Sequence, residues 1–205
     1  MNEALKDMLT QDAIIAKQDM EASNIILGID AANRYLLFGP NGQSLGIAAE
    51  ESSGAGSWLI RQFLRNKRPC KVHIYDQKGQ QIATGKKPFR FIFSEMSALL
   101  DGQIVGRSRR RFKILKRKYT IEVQGGSIFE INSGIFQIGK QTFDVTRGNS
   151  VVATITKQFE GMMKMAFTQA DTFSIQFKDK NLTLQERCTL LFTLFLIDFD
   201  VFEQR

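Results

Sequence analysis

The sequence has few of the residues on which metal centres, disulfides and histidine-dependent catalysis rely. It contains two cysteines, one histidine, one tryptophan and three prolines among 205 residues. Cys70 and Cys188 lie far apart in unrelated contexts, so we interpret them as packed free thiols of a reducing compartment. His73 stands between Val and Ile without a carboxylate motif, which favours a structural role. The sequence shows no nucleophile–base pair or metal-ligand spacing, so we predict neither an enzyme nor a cofactor.

Long hydrophobic runs are also absent. The main apolar segment, Cys188–Ile197, covers about 15 Å as a helix, roughly half the hydrocarbon thickness of a bilayer. The N-terminal residues are charged rather than apolar, which is not typical of a secretion signal. We therefore expect a cytoplasmic protein. This expectation allows for a peripheral position at the inner surface of a membrane.

The residues around this apolar segment predict a buried helix from Thr183 to about Phe202. Thr183 and Glu186 have the spacing of a capping box, in which each side chain accepts a hydrogen bond from the other residue's backbone amide. The Leu and Phe residues that follow point in every direction around a helix, so the helix needs an apolar environment on all sides. Asp198 and Asp200 close the run with charges, which favours a protein core over lipid.

Most of the remaining sequence is typical of strands. Residues 35–49, 71–83 and 142–155 each contain two strand-like runs joined by a glycine-containing turn. Thr172–Phe177 alternates, with three apolar side chains on one face. Many strands followed by an apolar helix predict an all-β fold with a central helix, a closed barrel that leaves no sheet edge exposed. We assign residues 31–205 to the barrel domain and residues 1–30 to a short helical N-terminal segment.

Positive charge is concentrated in one segment of this basic chain, whose net charge is +7. Eight of the twelve residues in 107–118 are cations. If Gln103–Ile114 is a strand, its outer face carries four of them, Arg107, Arg109, Arg111 and Lys113. Its inner face is then mainly small or apolar, with Ile104, Gly106, Ser108, Phe112 and Ile114 interrupted by Arg110. We expect a turn at 115–117 before the next strand, which begins at Lys118.

This basic segment favours an anionic partner. Two interpretations of the four cations on one face are possible: a docking surface for an anionic partner, or a solvated face whose like charges prevent edge pairing with another strand. We favour docking, because the four cations repel each other unless an anionic partner compensates them. We prefer anionic phospholipid or phosphoinositide as the partner, and nucleic acid is the alternative, since basic runs bind phosphate without reading sequence. The candidate headgroup ligands, named the basic face below, are Arg107, Arg109, Arg111, Lys113, Lys116, Arg117 and Lys118.

Several segments between Leu5 and Glu203 resemble one family. The segments 157–161 and 166–177, continued by Phe195–Phe199, are similar to those of the phospholipid scramblases, whose barrel is shared with the tubby C-terminal domain. The resemblance implies a tubby-like closed antiparallel β-barrel of about 12 strands around a buried C-terminal helix. It does not by itself fix the activity.

The chain departs from this family in three places. Residues 91–99 contain no cysteine, whereas animal members carry a palmitoylated cysteine-rich run there, and the Pro-rich N-terminal tail of those members has no counterpart. The family's calcium segment would begin at Gln169 and end at Lys180, with Ser174 in sixth place. An EF-hand loop needs oxygen ligands at both ends and glycine in sixth place, so this degenerate segment, with only Asp171 acidic, predicts no metal site.

We therefore predict a phospholipid scramblase-family protein that binds anionic phospholipid at membrane surfaces, with calcium-independent lipid scrambling as a further activity. A helix of this length does not supply a membrane span, so scrambling does not follow from the residues alone. The alternative is a soluble intracellular binding module for nucleic acid or a protein partner, acting through the same basic face.

Overall fold

The apolar C-terminal segment forms a helix enclosed by β-sheet. The computed structural model describes residues 2–19, 31–51, 68–112, 118–132, 135–137, 140–158 and 172–201. Along the chain the elements are α1 (Glu3–Thr10), β1 (Ala13–Gln18), β2 (Ala31–Phe38), β3 (Ser44–Glu51), β4 (Cys70–Tyr75), β5 (Gln81–Lys87), β6 (Glu95–Leu100), β7 (Gln103–Arg111), β8 (Lys118–Val123), β9 (Ile128–Asn132), β10 (Ile135–Gln137), β11 (Lys140–Arg147), β12 (Ser150–Gln158), β13 (Thr172–Phe177) and α2 (Leu184–Val201).

Antiparallel pairing joins twelve of the described strands into a closed ring. The strands β1 to β9 pair in chain order, β13 pairs with both β1 and β12, and β12 pairs with β11. The ring closes where β11 pairs with β9, with Val145 opposite Ile131. The short β10 pairs with the other end of β11. The predicted closed antiparallel barrel around a buried C-terminal helix is confirmed.

The helix α2 begins with the predicted capping box and is buried around its whole circumference. The Thr183 backbone N–H donates to Glu186 Oε2 at 2.7 Å, and the Glu186 N–H donates to Thr183 Oγ1 at 3.2 Å. Every residue from Glu186 to Asp200 is buried. Phe173, Ile175 and Phe177 of β13 face the same core, as their alternation predicted.

The helix approaches β5 and β7 closely because glycines on their inner faces leave room for its side chains. A Cβ atom on Gly85 would overlap the Phe192 ring, and one on Gly106 would overlap the Thr189 side chain. The Ser108 hydroxyl of β7 lies 2.5 Å from the Thr193 hydroxyl of α2 in a buried hydrogen bond. The interior of β7 is therefore fixed against the central helix.

The N-terminal residues are helical only in part. Helix α1 matches the predicted helical segment, with Asn2 as its N-cap, and it buries Leu5, Met8 and Leu9. The prediction of helix over residues 13–18 was wrong, because this segment is β1, paired with β13 on one side and β2 on the other. Ile14 and Ala16 alternate into the core, and without β1 both neighbouring strands would have exposed edges.

Candidate functional site

Strand β7 lies between β6 and β8 and presents its arginines on the outer face of the barrel. Arg107 and Arg111 are exposed, and Arg109 is partly exposed. Gly106 and Ser108, on either side of Arg107 in the sequence, are buried, as the alternation predicted. Lys113, Lys116 and Arg117 lie outside the described residues, and Lys118 begins β8 opposite Arg111.

Glutamates on neighbouring strands pair with most of the described cations of the basic face. Arg109 Nε lies 2.8 Å from Glu95 Oε2 on β6. Arg111 lies 3.4 Å from Glu122 on β8, and Lys118 lies 2.7 Å from Glu130 on β9. Sequence reasoning missed these glutamates as partners. Strand register decides which side chains of neighbouring strands lie side by side, and the charges along one strand do not reveal it.

One described cation of the basic face, Arg107, and one cation beside that face, Lys86, have no carboxylate partner among the described residues. Lys86 of β5 and Arg107 of β7 are exposed and stand on either side of Ser97 in the cross-strand register. No described carboxylate lies within ion-pair distance of either. Two strand spacings place their backbones about 10 Å apart. Sequence reasoning also missed Lys86, although the dipeptide Lys86-Lys87 before Pro88 marks a local concentration of charge.

Two residues predicted to face the core do not do so. The register between β6 and β7 shifts between Ala98 and Leu99, so Val105 is an extra residue in β7. This bulge places Val105 in the core and leaves Ile104 41% exposed. Phe112 follows the last residue of β7 and is 74% exposed, so its prediction as an inner residue was also wrong. Ile114 lies outside the described residues.

Arg110, the charge that interrupts the predicted inner face, lies near the buried Asp200 of α2. Burial raises the pKa of the Asp200 carboxyl above its usual value. A hydrogen bond from Ser94 and the positive charge of Arg110 act in the opposite direction. The Tyr119 hydroxyl also donates to this carboxylate. Arg110 is therefore a counter-charge for the C-terminal end of the central helix.

A shallow groove of about 310 Å³ crosses β4 and β5 and is lined by Lys71, His73, Thr84 and Lys86. Both ring nitrogens of His73 have neighbours, with Thr84 Oγ1 at 3.1 Å and Glu51 Oε2 at 3.4 Å. The hydrogen bond from Lys71 lowers the pKa of Glu51, and His73 acts in the same direction. Lys86 belongs to this groove and also stands beside Arg107 on the outer surface. Asp101 lines the groove as well, so the charge of the groove is mixed.

The predicted calcium segment is described only in part. Gln169 and Asp171 lie outside the described residues. Thr172–Phe177 is strand β13, bonded on both sides to β12 and β1, which confirms its prediction as a strand. Lys180 forms an ion pair with Asp12. Within the described ranges, no cluster of three His, Cys, Asp or Glu side chains is arranged to hold a metal ion.

The fold defines the class of protein, a closed antiparallel barrel around a hydrophobic C-terminal helix. Over the part of the chain that the structure describes, no helix combines the length and hydropathy needed to cross a bilayer. The Scramblase family model matches residues 1–204, and the chain belongs to this family.

Curated relatives agree with the family model. A phospholipid scramblase family protein of Schizosaccharomyces pombe is 23% identical over 239 residues, which cover 100% of this chain and 63% of the relative. "Altered inheritance rate of mitochondria protein 25" of Saccharomyces cerevisiae is 24% identical, over 96% of this chain and 72% of that protein. Human phospholipid scramblase family member 5 is 28% identical, over 94% of this chain and 74% of that protein. The chain thus spans less than two thirds of the S. pombe relative's length. No solved structure matches the chain.

Proposed function

We propose that this scramblase-family protein binds anionic phospholipid at the cytoplasmic surface of a membrane through the basic face, extended by Lys86. The observation that carries the proposal is the exposed pair Lys86 and Arg107, which have no carboxylate partner among the described residues. Cytoplasmic leaflets carry anionic lipid, and a cation near such a surface contributes about 1 kcal/mol of attraction.

The charge balance of this surface supports the same partner. Four described cations of the basic face stand among three glutamates, Glu95, Glu122 and Glu130, so these groups leave one net positive charge. Lys86 adds a second positive charge to the same outer surface. In the sequence, three further cations follow β7, Lys113, Lys116 and Arg117. A positive field of this kind attracts phosphate-bearing headgroups without requiring a shaped pocket.

The test compares two variants that lose the same charge at different places. Lys86→Gln/Arg107→Gln should weaken binding to phosphatidylserine-containing vesicles by about tenfold or more, at about 1 kcal/mol for each cation. The control is Lys17→Gln/Lys178→Gln, whose residues lie on β1 and directly after β13, across the barrel from β7. Co-sedimentation measures both. If the control lost as much vesicle binding, the net charge of the protein alone would determine binding, and the basic face would not be the binding site.

We also propose that the protein moves phospholipid between leaflets without calcium. Support comes from the scramblase family and from the Gln and Lys at the two ends of the segment 169–180. The test is reconstitution into vesicles with a fluorescent lipid in both leaflets, followed by chemical quenching of the outer leaflet. Scrambling should be the same in calcium and in chelator. Loss of activity in chelator would contradict calcium independence, and inactivity in both would remove the scrambling proposal.

Nucleic acid remains the second candidate partner, because exposed aromatic rings stand near the arginines of β7. Phe112 directly follows Arg111, and rings beside cations are a common platform for single-stranded nucleic acid. A single-stranded oligonucleotide added to the vesicle assay as a competitor tests this candidate. Oligonucleotide binding that survives a salt concentration at which vesicle binding is lost would favour nucleic acid.

A further inference from the structure

Exposed apolar side chains are concentrated at one end of β7. Eight large apolar side chains are exposed among the described residues, and five of them belong to two neighbouring segments. Four lie in the β5–β6 connection, residues 88–94, which we name the aromatic loop, and the fifth is Phe112 at the end of β7. Phe91, at 74%, and Ile92, at 71%, are the most exposed of the four apolar side chains in the loop and form its apolar tip.

Three contacts attach the base of the aromatic loop to β7. The Arg110 backbone N–H donates to the Ser94 carbonyl oxygen at 2.9 Å. The Phe93 and Phe112 rings meet edge-on with centroids 6.5 Å apart. The Glu95 carboxylate lies 3.4 Å from Arg90 of the loop and 2.8 Å from Arg109 of β7. The loop is thereby held beside the basic face, and the side chains of Phe91 and Ile92 are largely exposed.

The chemistry around this apolar tip identifies its partner as a membrane. Exposed cations stand beside the tip in sequence and structure, with Arg90 inside the loop, Lys86 before it and Arg111 beside Phe112. Aromatic side chains are favoured at the interface between headgroups and acyl chains, and cations are favoured at anionic headgroups. A second copy of the chain meeting the same patch across a two-fold axis would bring these cations together, which like charges disfavour.

We propose that the aromatic loop inserts Phe91 and Ile92 into the interface of an anionic phospholipid bilayer while Arg90 and the basic face remain at the headgroups. This inference rests on the proposed membrane function and names the element that enters the bilayer. The two contributions differ in their salt dependence. Salt screens the attraction of the cations, whereas apolar insertion is not screened. Binding that persists at high salt therefore depends on the aromatic loop.

The test uses the full chain and vesicles of phosphatidylcholine with phosphatidylserine. Phe91→Ser/Ile92→Ser should lower vesicle affinity about tenfold and remove the binding that remains at about 0.5 M salt. The matched control is Ile128→Ser/Val151→Ser, which removes two other exposed apolar side chains, on β9 and β12, and should bind as wild type does. All variants should keep the wild-type melting temperature, since the changed side chains are exposed.

A reporter variant measures insertion directly. In Phe91→Trp, the introduced tryptophan should shift to shorter emission wavelength on vesicles and be quenched by brominated acyl chains, relative to the wild-type signal. If Phe91→Ser/Ile92→Ser binds as wild type while Lys86→Gln/Arg107→Gln loses binding, insertion is wrong and the proposed function stands. If wild type binds no vesicle, the proposed function fails with it. If wild type is dimeric by sedimentation, and Phe91→Ser/Ile92→Ser is monomeric with unchanged vesicle binding, the loop is a protein interface and insertion is overturned.

Discussion

The Glu95 carboxylate accepts a hydrogen bond from Arg109 Nε at 2.8 Å, and this pair joins the aromatic loop to the basic face. Glu95 is largely buried, and its second neighbour is Arg90 within the loop. One carboxylate thus lies between a cation of the loop and a cation of β7. The apolar and the charged parts of the proposed membrane surface are held in a fixed relation by this contact.

Replacing Glu95 should make the fold less stable but its binding to anionic vesicles tighter. Glu95→Gln should lower the free energy of unfolding by about 1–3 kcal/mol, because a largely buried charge-assisted hydrogen bond is lost. The same change removes one negative charge beside Arg109, so binding to anionic vesicles at low salt should become tighter. Urea denaturation and co-sedimentation measure the two effects. Weaker binding by a stably folded variant would contradict the assignment of this surface to anionic lipid.

The central helix should tolerate no truncation of its apolar side chains. Leu191 and Phe195 are completely buried, so Leu191→Ala and Phe195→Ala should each cost about 2–5 kcal/mol of unfolding free energy. Gln185→Ala is the control, since Gln185 lies on the same helix and is exposed. Removal of residues 188–205 should leave an insoluble or molten chain. A truncated chain with a cooperative thermal transition would contradict the role of α2 as the barrel's filling.

The approach of α2 to β5 depends on the absence of a side chain at Gly85. Gly85→Ala should destabilise the fold by about 1–3 kcal/mol, because its methyl group would overlap the Phe192 ring. Phe192→Leu makes room for that methyl group. A double-mutant cycle in urea should therefore show that the two changes together cost less than the sum of their separate effects. Strict additivity would mean that the two residues do not meet in solution.

Asp200 should make the stability of the fold depend on pH. Burial raises the pKa of this carboxyl above 3.8, its ordinary value, so the folded state holds the proton to higher pH than the unfolded state does. The stabilisation that this group contributes is fully present when the pH is below 3.8, and it is lost as the pH rises through the pKa of the folded state. Asp200→Asn should therefore gain stability relative to wild type as the pH rises above 3.8. Urea denaturation at increasing pH measures the difference, and a constant difference would exclude a raised pKa.

The features that the sequence predicted correctly are those encoded within single segments. The capping box of Thr183 and Glu186 spans one helical turn, and the alternation of β13 spans six residues. The all-round apolarity of α2 likewise needs no knowledge of other segments, since such a helix is stable only when it is enclosed. The barrel class followed from these local patterns together with the resemblance to a family.

What the sequence by itself determined was the buried C-terminal helix, several of the strands and the positive charge of 107–118, because periodicity, capping and charge are properties of neighbouring residues. The tertiary structure decided the rest of the site. Pairing of β1 with β13 and β2 made a strand from a segment with an irregular helical pattern. The bulge at Val105 exposed Ile104, and strand register brought Glu95 to Arg109. Such contacts join residues far apart in sequence, and their positions depend on the closure of the whole barrel.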